Sequence, residues 1–371
     1  MRGVAVLGST GSIGRSTLAV LRRQREHFRV VALTAGSNAS LLEAQRSEWN
    51  PDFAGLVGPG DAAAPGGGPG VLIEAATHPA VDIVVNAVVG AAGLDATLAA
   101  LRAGKRVALA NKESLVMAGE LVLEAAREGG GELVPVDSEH SAVLQCLAGH
   151  GGQLERLILT ASGGPFREWP AERVQEATVE EALRHPTWSM GSKISVDSAT
   201  LANKALEVIE AHFLYGLPYD RIEVVVHPQS IVHAFVEFAD GSVLAQLGFP
   251  TMELPILYAL THPVRLPDTG VPRFDPVVAG SLTFEPVRAD LFRTFDVGVA
   301  AGRAGGTAPA VFNAANEAAV AAFLDRRIPF GRIADTIHAV LDAHTVQPAT
   351  ALAAVREADR WARARALEEM S

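Results

Sequence analysis

The chain has 371 residues, of which 49% are hydrophobic and 20% charged, a composition typical of folded proteins with two or three domains. Its formal charge of −11 argues against a general nucleic-acid binder, because neutralising phosphates requires clustered Lys and Arg side chains. A single cysteine excludes a disulfide framework and a cysteine-rich zinc site, and the lack of any apolar run of about 18 residues argues against a membrane span.

The first 136 residues alternate short apolar runs with helical patterns, and the chain enters the first run without a signal-peptide pattern, so we expect a cytoplasmic protein. The predicted strands are Val4–Leu7, Val30–Thr34, Val71–Ile73, Asp82–Val85, Arg106–Ala110 and Glu132–Val136. The predicted helices are Arg15–Gln24, Leu41–Glu48, Leu94–Ala103 and Ser114–Glu128. This alternation predicts an α/β fold, with a parallel sheet that carries helices on both faces. The Gly- and Pro-rich segment 59–70 predicts a flexible surface loop.

A glycine-rich turn, Gly8-Ser9-Thr10-Gly11-Ser12-Ile13-Gly14, follows the first predicted strand and opens a helix. Glycines three residues apart allow the backbone to approach a pyrophosphate, which the helix N-terminus then binds. A plain tight turn would use the same glycines, but the position between strand and helix favours a dinucleotide site in a Rossmann-like domain. After the second strand, Gly36-Ser37-Asn38 offers no carboxylate to a ribose 2′-hydroxyl, which favours NADP over NAD.

Two acidic side chains, Asp137 and Glu139, follow the sixth predicted strand. In an extended chain both would point to the same side, at the sheet edge where open α/β folds bind ligands. Together with Glu207 from a later helix, they would form an all-oxygen site suited to Mg²⁺ or Mn²⁺. The spacing equally allows Asp137 to be the N-cap of a helix, with Glu139 in its first turn.

Residues 137–261 predict a central α+β domain, with strands at Arg156–Thr160, Glu223–Val226, Ile231–Phe238 and Ser242–Leu247. A predicted helix at Ala199–Tyr215 places Asn203, Lys204 and Glu207 on one face, after Asp197-Ser198 at its start. There Ser198, Asn203 and Lys204 could hold a phosphate while Glu207 faces the cation. A Lys–Glu surface pair explains the same spacing without a ligand.

Two loops of the central domain are candidates for substrate contact. Ser162-Gly163-Gly164 is a second anion-friendly turn, and the loop at about 184–193 contains His185, Trp188 and Met190. That loop could close over a small substrate as a lid, or simply pack on the surface.

The remainder of the chain predicts a Pro-rich linker at 262–287 and a small C-terminal helical domain at 288–371. The predicted edge hairpin at Ile231–Leu247 could pair with a second copy, which favours a homodimer.

Taken together, these motifs resemble one family, the 1-deoxy-D-xylulose 5-phosphate reductoisomerases. The resemblance covers nearly the whole chain, and the order of SEH, HPTWSMG, SVDSAT and HPQS is specific to the family. The matching segments are GSTGSIG at 8–14, VGAAGL at 89–94, ANKESLV at 110–116, PVDSEHSA at 135–142, ASGGPF at 161–166, HPTWSMGSKISVDSAT at 185–200, NKALE at 203–207, HPQSIVH at 227–233 and NAANEAAVAAFL at 313–324.

The resemblance implies an enzyme that uses NADPH and Mn²⁺ or Mg²⁺ in isoprenoid precursor synthesis. Such enzymes rearrange the sugar phosphate 1-deoxy-D-xylulose 5-phosphate and reduce the product to 2-C-methyl-D-erythritol 4-phosphate. By position, the metal ligands are Asp137, Glu139 and Glu207, the phosphate binders are Ser162, Ser198, Asn203 and Lys204, and the contacts to the sugar portion are Lys112, Ser138 and His185. The catalytic set is Lys112, Glu139, His185 and Glu207.

The same resemblance places the cofactor at Gly8, Thr10, Gly11, Ser12, Ile13, Gly36, Ser37, Asn38, Asn111, Glu113 and Gly191, and the lid at Trp188 and Met190. Ser37 departs from the Lys or Arg of many relatives, which weakens the expected contact to a 2′-phosphate. Two other functions remain open from the residues alone. An ordinary NAD(P)-dependent dehydrogenase would explain the glycine-rich turn, but it would not explain three acidic residues and a group of phosphate-binding residues. A non-catalytic nucleotide-sensing protein would have no need of the acidic residues.

Overall fold

The computed structural model describes residues 1–58, 67–68, 70–149, 153–188 and 190–371. In chain order its first elements are β1 (Arg2–Leu7), α1 (Ser12–Arg23), β2 (Phe28–Ala35), α2 (Ala39–Trp49), β3 (Phe53–Leu56), α3 (Val71–Thr77), β4 (Ile83–Asn86), α4 (Leu94–Arg102), β5 (Arg106–Leu109), α5 (Lys112–Gly129), β6 (Glu132–Pro135) and α6 (Ser138–Cys146). Most of the loop predicted for 59–70 lies outside the described residues.

The second half of the chain is richer in helices. Its elements are β7 (Leu154–Ala161), α7 (Ala171–Gln175), α8 (Val179–Ala182), α9 (Ser192–Ala199), α10 (Ala202–Tyr215), β8 (Ile222–Val226), β9 (Val232–Phe238), β10 (Val243–Leu247), α11 (Glu253–Thr261), α12 (Pro276–Ala279), β11 (Glu285–Pro286), α13 (Arg293–Ala304), α14 (Ala308–Leu324), α15 (Arg332–Asp342) and α16 (Leu352–Glu369). The predicted C-terminal helical region is confirmed by the run from α13 to α16. No helix among the described residues is both long enough and apolar enough to span a bilayer.

The chain divides into two compact units that cross the predicted domain boundaries. The first unit comprises residues 1–114, 121–144 and 251–273, and the second comprises 115–120, 145–250 and 274–371. The linker predicted at 262–287 is therefore divided between the two units, and its second half contains α12 and β11. β11 pairs with β8, with Glu285 opposite Val226, so this part of the linker extends a sheet.

The first unit is built on a six-stranded parallel sheet in the order β3-β2-β1-β4-β5-β6, which confirms the predicted Rossmann-like fold. Its central strands are buried on both faces, as the continuous apolar runs predict, and Val4, Val6, Ile83 and Val85 lie in one core cluster. The chain order reverses between β1 and β4, and that position is the ligand-binding crevice of doubly wound sheets.

One predicted strand is wrong. Val71–Ile73 opens helix α3, and the third strand of the sheet is Phe53–Leu56 instead. In α3 the buried residues are Val71, Leu72, Ala75 and Ala76, which is the spacing of a helix face, while Ile73 is 39% exposed. The short apolar run resembles a strand because the buried face of the helix continues through Ala75 and Ala76, whose small side chains add little to the apolar pattern.

The second unit contains a mixed five-stranded sheet in the order β10-β9-β7-β8-β11. β7 and β8 are parallel, whereas β9 is antiparallel to both β7 and β10, which confirms the predicted hairpin. Helices α10 and α13 to α16 share a large apolar core around Phe312, Ile333 and Ile337. This sheet and these helices position the loops described below.

The helix predicted at Ala199–Tyr215 is confirmed from Ala202 onward as α10, whereas Ala199 is the last residue of a separate helix, α9. Leu201 separates them in the left-handed region, with φ of 56°, a conformation that a non-glycine residue adopts only at a cost. Asp197 therefore lies in the last turn of α9 and not at a helix start, so that part of the prediction is wrong.

Candidate active site

The glycine-rich turn between β1 and α1 is shaped by two glycines. Gly8 has φ of 79°, and a Cβ there would lie 2.7 Å from the carbonyl oxygen of Ala87. A Cβ at Gly14 would lie 2.5 Å from Cα of Ser9, so α1 packs against the turn as only glycine allows. Gly11, the N-cap of α1, is exposed, which leaves the backbone open to a ligand.

Sequence analysis missed a buried residue that fixes this turn. The Ser9 hydroxyl donates to Oε1 of Gln45 at 2.6 Å, and Nε2 of Gln45 donates to the Ser9 carbonyl at 2.9 Å. Both side chains are buried, Ser9 fully. Gln45 lies on α2, whose polar spacing gives no signal that one of its residues reaches the turn.

The second predicted cofactor segment lies between β2 and α2. Leu7 pairs with Thr34, so the turns after β1 and β2 leave the sheet at the same edge. Among the described residues, no atom beyond Gly36 and its two chain neighbours lies within 4 Å of a Cβ placed at Gly36, and Ser37 is exposed. Oδ1 of Asn38 accepts a hydrogen bond from the Leu41 amide at 3.1 Å and caps α2.

Asn111 and Glu113, at the start of α5, hold the turn that follows β4. Nδ2 of Asn111 donates to the carbonyl oxygens of Val88 and Gly90, both at 2.8 Å. Oε1 of Glu113 accepts a hydrogen bond from the Gly90 amide at 3.0 Å. These bonds fix the backbone beside the β1–β4 crevice, where the cofactor is expected to bind.

Lys112 and Asp137 come together at the ends of β5 and β6. Nζ of Lys112 lies 2.5 Å from Oδ2 of Asp137, and both side chains are largely buried. Oδ1 of Asp137 accepts from the Ser138 amide at 3.0 Å, and its carbonyl accepts from the Ser141 amide at 2.8 Å. Asp137 thus lies immediately before α6, in the N-cap position, and also pairs with the Lys112 ammonium group.

Glu139 lies in the first turn of α6, so the extended geometry expected for Asp137 and Glu139 is wrong. Its Oε2 accepts a hydrogen bond from the Ser138 hydroxyl at 2.6 Å. Ser138 is buried and Glu139 is half-buried. A carboxylate in the first turn of a helix is favoured by the helix dipole.

In the second unit, Ser162 and His185 form a hydrogen-bonded pair. Nε2 of His185 lies 2.9 Å from the Ser162 hydroxyl oxygen. Nδ1 of His185 accepts from the backbone amides of Thr187 and Trp188, at 3.1 and 2.9 Å, so Nε2 carries the ring proton and donates to Ser162. Burial lowers the pKa of His185 from 6.5 to about 4, so the neutral ring is the form present near neutral pH.

The same contacts anchor the start of the predicted lid. The amides of Thr187 and Trp188 are bound to His185, and the side chains of Trp188 and Met190 are half-buried. Gly191 is the exposed N-cap of α9, and no atom of the described part of the chain, its two neighbours aside, lies within 4 Å of a Cβ placed there. The lid residues therefore lead directly into the helix that carries Ser198.

The predicted phosphate residues of the second unit meet at two places. A Cβ at Gly164, where φ is 66°, would lie 2.7 Å from the carbonyl oxygen of Ser198, so the turn after Ser162 passes directly against Ser198. On α10, Nδ2 of Asn203 donates to Oε1 of Glu207 at 2.5 Å, and Lys204 pairs with the other carboxylate oxygen. Lys204 and Glu207 are buried, which excludes the surface-pair interpretation.

Both implied cofactors fit these residues. Open backbone at Gly11 and Gly36, both on the edge formed by the β1 and β2 turns, suits a dinucleotide, because glycine lets phosphates approach the chain closely. Asp137, Glu139 and Glu207 offer only carboxylate oxygens, the donors that Mg²⁺ and Mn²⁺ prefer.

Three family models match successive parts of the chain, and all three describe the same enzyme. The model for 1-deoxy-D-xylulose 5-phosphate reductoisomerase matches residues 4–119, and two models for C-terminal domains of that enzyme match residues 133–215 and 247–365. A protein of that name from Heliobacterium modesticaldum is 51% identical over 380 residues, covering 99% of this chain and 97% of its own length. One from Ralstonia nicotianae is 50% identical over 386 residues, covering 99% of this chain and 97% of its own length.

Solved structures give the same result. A crystal structure of DOX-P reductoisomerase in complex with NADPH, fosmidomycin and magnesium has a TM-score of 0.95 and 42% identity, covering 100% of this chain and 98% of that one. The 1-deoxy-D-xylulose 5-phosphate reductoisomerase from Zymomonas mobilis in complex with NADPH has a TM-score of 0.91 and 43% identity, covering 100% of this chain and 99% of that one.

Proposed function

The chain belongs to the 1-deoxy-D-xylulose 5-phosphate reductoisomerase family, and we propose that it catalyses the NADPH- and metal-dependent conversion of 1-deoxy-D-xylulose 5-phosphate to 2-C-methyl-D-erythritol 4-phosphate in isoprenoid precursor synthesis. The observation that carries this conclusion is the full-length match to a structure with NADPH, fosmidomycin and magnesium bound, at a TM-score of 0.95. The reaction combines a rearrangement of the carbon skeleton with a reduction.

We propose Asp137, Glu139 and Glu207 as the ligands of Mg²⁺ or Mn²⁺. When bound, the ion polarises substrate oxygens and stabilises the negative charge that develops on them. Each acid is already oriented by a neighbour within its own unit: Lys112 holds Asp137, Ser138 holds Glu139, and Asn203 with Lys204 holds Glu207. Such supporting contacts restrict the rotation of a ligand side chain.

The substrate phosphate is assigned to Ser162, Ser198, Asn203 and Lys204. The Ser162 oxygen accepts from Nε2 of His185 and from the Gly164 amide at 3.3 Å, which directs its own hydroxyl proton outward as a donor. The phosphate then serves as a remote handle whose binding energy orients the reacting carbons.

The sugar portion is assigned to Lys112, Ser138 and His185. The Lys112 ammonium is suited to stabilising an oxyanion that forms as the skeleton rearranges. Lys112, Glu139, His185 and Glu207 form the catalytic set in this assignment, and Trp188 and Met190 of the lid exclude water and retain the aldehyde intermediate.

The cofactor is assigned to the turns after β1 and β2, with Asn111, Glu113 and Gly191. NADPH supplies the hydride for the reduction. The residues concerned are Gly8, Thr10, Gly11, Ser12, Ile13, Gly36, Ser37 and Asn38.

The test is NADPH oxidation by the purified protein with 1-deoxy-D-xylulose 5-phosphate and Mn²⁺. We expect turnover that stops in EDTA and returns when Mn²⁺ is added in excess. No turnover with this substrate would overturn the activity. Full turnover in EDTA would overturn the metal assignment alone.

We also propose a homodimer. Edge strand β10 exposes Val243 and Leu244 by 49% and 42%, and an uncovered apolar edge strand favours pairing with a second copy. Light scattering coupled to size-exclusion chromatography should give twice the chain mass of 38.9 kDa, and a monomer would contradict this proposal. The cytoplasmic location expected from the sequence stays a prediction.

A further inference from the structure

We propose that Asn316 is a positioning residue for the phosphate-binding segment that runs from Ser198 to Lys204. The inference rests on the proposed function, since it concerns how that site is held in shape. Asn316 belongs to the NAANE segment at 313–317, to which the assignments above give no role.

Asn316 acts through Asp197, the residue before Ser198. Nδ2 of Asn316, on α14, donates to Oδ1 of Asp197, on α9, at 2.8 Å. The other carboxylate oxygen of Asp197 lies 2.8 Å from Nζ of Lys193. Asp197 is 1% exposed and Asn316 is fully buried, so this charge is held almost entirely by protein groups.

The position of Asp197 decides the path of the chain that follows it. Its carbonyl accepts from the Thr200 hydroxyl at 3.2 Å, and that hydroxyl accepts from the Ala202 amide at 3.2 Å. Between these residues Leu201 takes its left-handed conformation and caps α10, whose first turn carries Asn203 and Lys204. A shift of Asp197 therefore moves Ser198 and the start of α10 together.

The orientation of the Asn316 amide supports a role beyond packing. Because a carboxylate only accepts, the NH₂ group must face Asp197, and Oδ1 of Asn316 is then buried without a donor among the described residues. A buried acceptor without a donor costs stability; a leucine of similar volume would remove that acceptor but would also take a donor from the buried Asp197 carboxylate. Oδ1 of Asn313 is also buried without a donor in the described part of the chain, so the contact with Asp197 on α9 is the observation that assigns the role to Asn316.

The experiment compares variants of Asn316 with a matched variant one helical turn earlier. Asn313 is equally buried on α14, but it donates to Glu317 at 3.0 Å and not to α9. We would measure KM and kcat with 1-deoxy-D-xylulose 5-phosphate, the affinity for inorganic phosphate by calorimetry, and the affinity for NADPH. The variants are Asn316→Leu, Asn316→Asp, Asn313→Asp, and the double variant Asp197→Asn with Asn316→Asp.

Asn316→Leu is expected to raise KM roughly tenfold and weaken inorganic phosphate in parallel, with NADPH affinity unchanged. Asn313→Asp should lower the melting temperature without changing KM. The double variant restores an amide–carboxylate pair with its direction reversed, so KM should recover relative to Asn316→Asp.

Equal KM effects in Asn316→Asp and Asn313→Asp would overturn the proposal, as would an unchanged phosphate affinity in Asn316→Leu. If Asn316→Leu does not fold, the comparison of the double variant with Asn316→Asp decides the question: recovery of KM supports the proposal, and no recovery overturns it. Phosphate binding needs no turnover, so an inactive wild-type protein whose phosphate affinity still depends on Asn316 would contradict only the proposed function.

Discussion

His185 donates its Nε2 proton to the Ser162 hydroxyl oxygen at 2.9 Å, because its Nδ1 is occupied by two backbone amides. One ring thus connects the turn after β7, proposed to bind the substrate phosphate, to the first residues of the predicted lid. The two ring nitrogens have different hydrogen-bond partners, and substitution of His185 with Asn or with Gln can separate their roles.

Substituting His185 with Asn or Gln should affect different steps. Asn places an oxygen near the position of Nδ1 and keeps an acceptor for the amides of Thr187 and Trp188, whereas Gln places a donor near the position of Nε2. We expect Asn to raise KM for the sugar phosphate and Gln to disturb the lid and lower kcat, each by roughly 10- to 100-fold. Steady-state kinetics of both variants test this, and identical profiles would show that the ring acts only as a space-filling group.

The pKa of His185 predicts a pH dependence of stability. Burial lowers the pKa from 6.5 to about 4, so between these values the unfolded chain binds a proton that the folded protein does not. The free energy of unfolding should therefore fall as pH decreases from 6.5 to 4 and lose no more from this residue below pH 4. Urea titrations of wild type and His185→Asn across this range measure the difference. An NMR titration of the ring with a midpoint near 6.5 would contradict the prediction.

Glu207→Gln should remove activity while leaving NADPH affinity intact. The Gln side chain keeps the shape of Glu207 beside Asn203 and Lys204, but it removes the negative charge that a divalent ion requires. We expect kcat to fall by at least about a hundredfold, and Mn²⁺ affinity to fall with it. Mn²⁺ binding followed by electron paramagnetic resonance, together with NADPH fluorescence titration, provides both measurements. Loss of NADPH binding would indicate a structural role for the residue.

Ser37→Arg should increase the preference for NADPH over NADH. Ser37 is exposed between β2 and α2, so an Arg side chain there can extend from the surface and pair with a 2′-phosphate. The ratio of kcat/KM values for the two cofactors should rise about tenfold. Ser47→Arg, at an exposed serine about two turns into α2, is the matched control for added surface charge. An equal effect in both variants would mean that position 37 does not contact the 2′-phosphate.

Sequence reasoning predicted what depends on local pattern. The glycine-rich turn needs Gly8 and Gly14 because neighbouring backbone passes too close for a side chain. This requirement is visible in the sequence as glycines at a fixed spacing. The central strands of the parallel sheet are continuous apolar runs because both faces of the sheet are buried there. The strand at Phe53–Leu56 was missed because it is a short edge strand containing Ala54 and Gly55, which have little β preference.

The features that sequence reasoning missed depend on contacts across long separations. Leu201 separates α9 from α10 in a conformation that its side chain does not favour, and only the surrounding packing makes this acceptable. The role of Asn111 in holding Val88 and Gly90 joins residues more than twenty positions apart. No periodicity records such contacts, so they became visible only in the structure.

Gln45→Leu should weaken NADPH binding although Gln45 lies outside the glycine-rich turn. The substitution leaves the buried Ser9 hydroxyl and carbonyl without their Gln45 partners, which should lower the free energy of unfolding by about 1–3 kcal/mol and allow the turn to move. Gln45→Glu keeps an acceptor for the Ser9 hydroxyl, but it places a buried carboxylate oxygen against the Ser9 carbonyl, so it should destabilise the protein at least as much as Gln45→Leu. NADPH titrations and urea unfolding of the three proteins measure both effects. If Gln45→Leu loses stability but binds NADPH as wild type does, the Ser9–Gln45 pair supports the fold without shaping the cofactor turn.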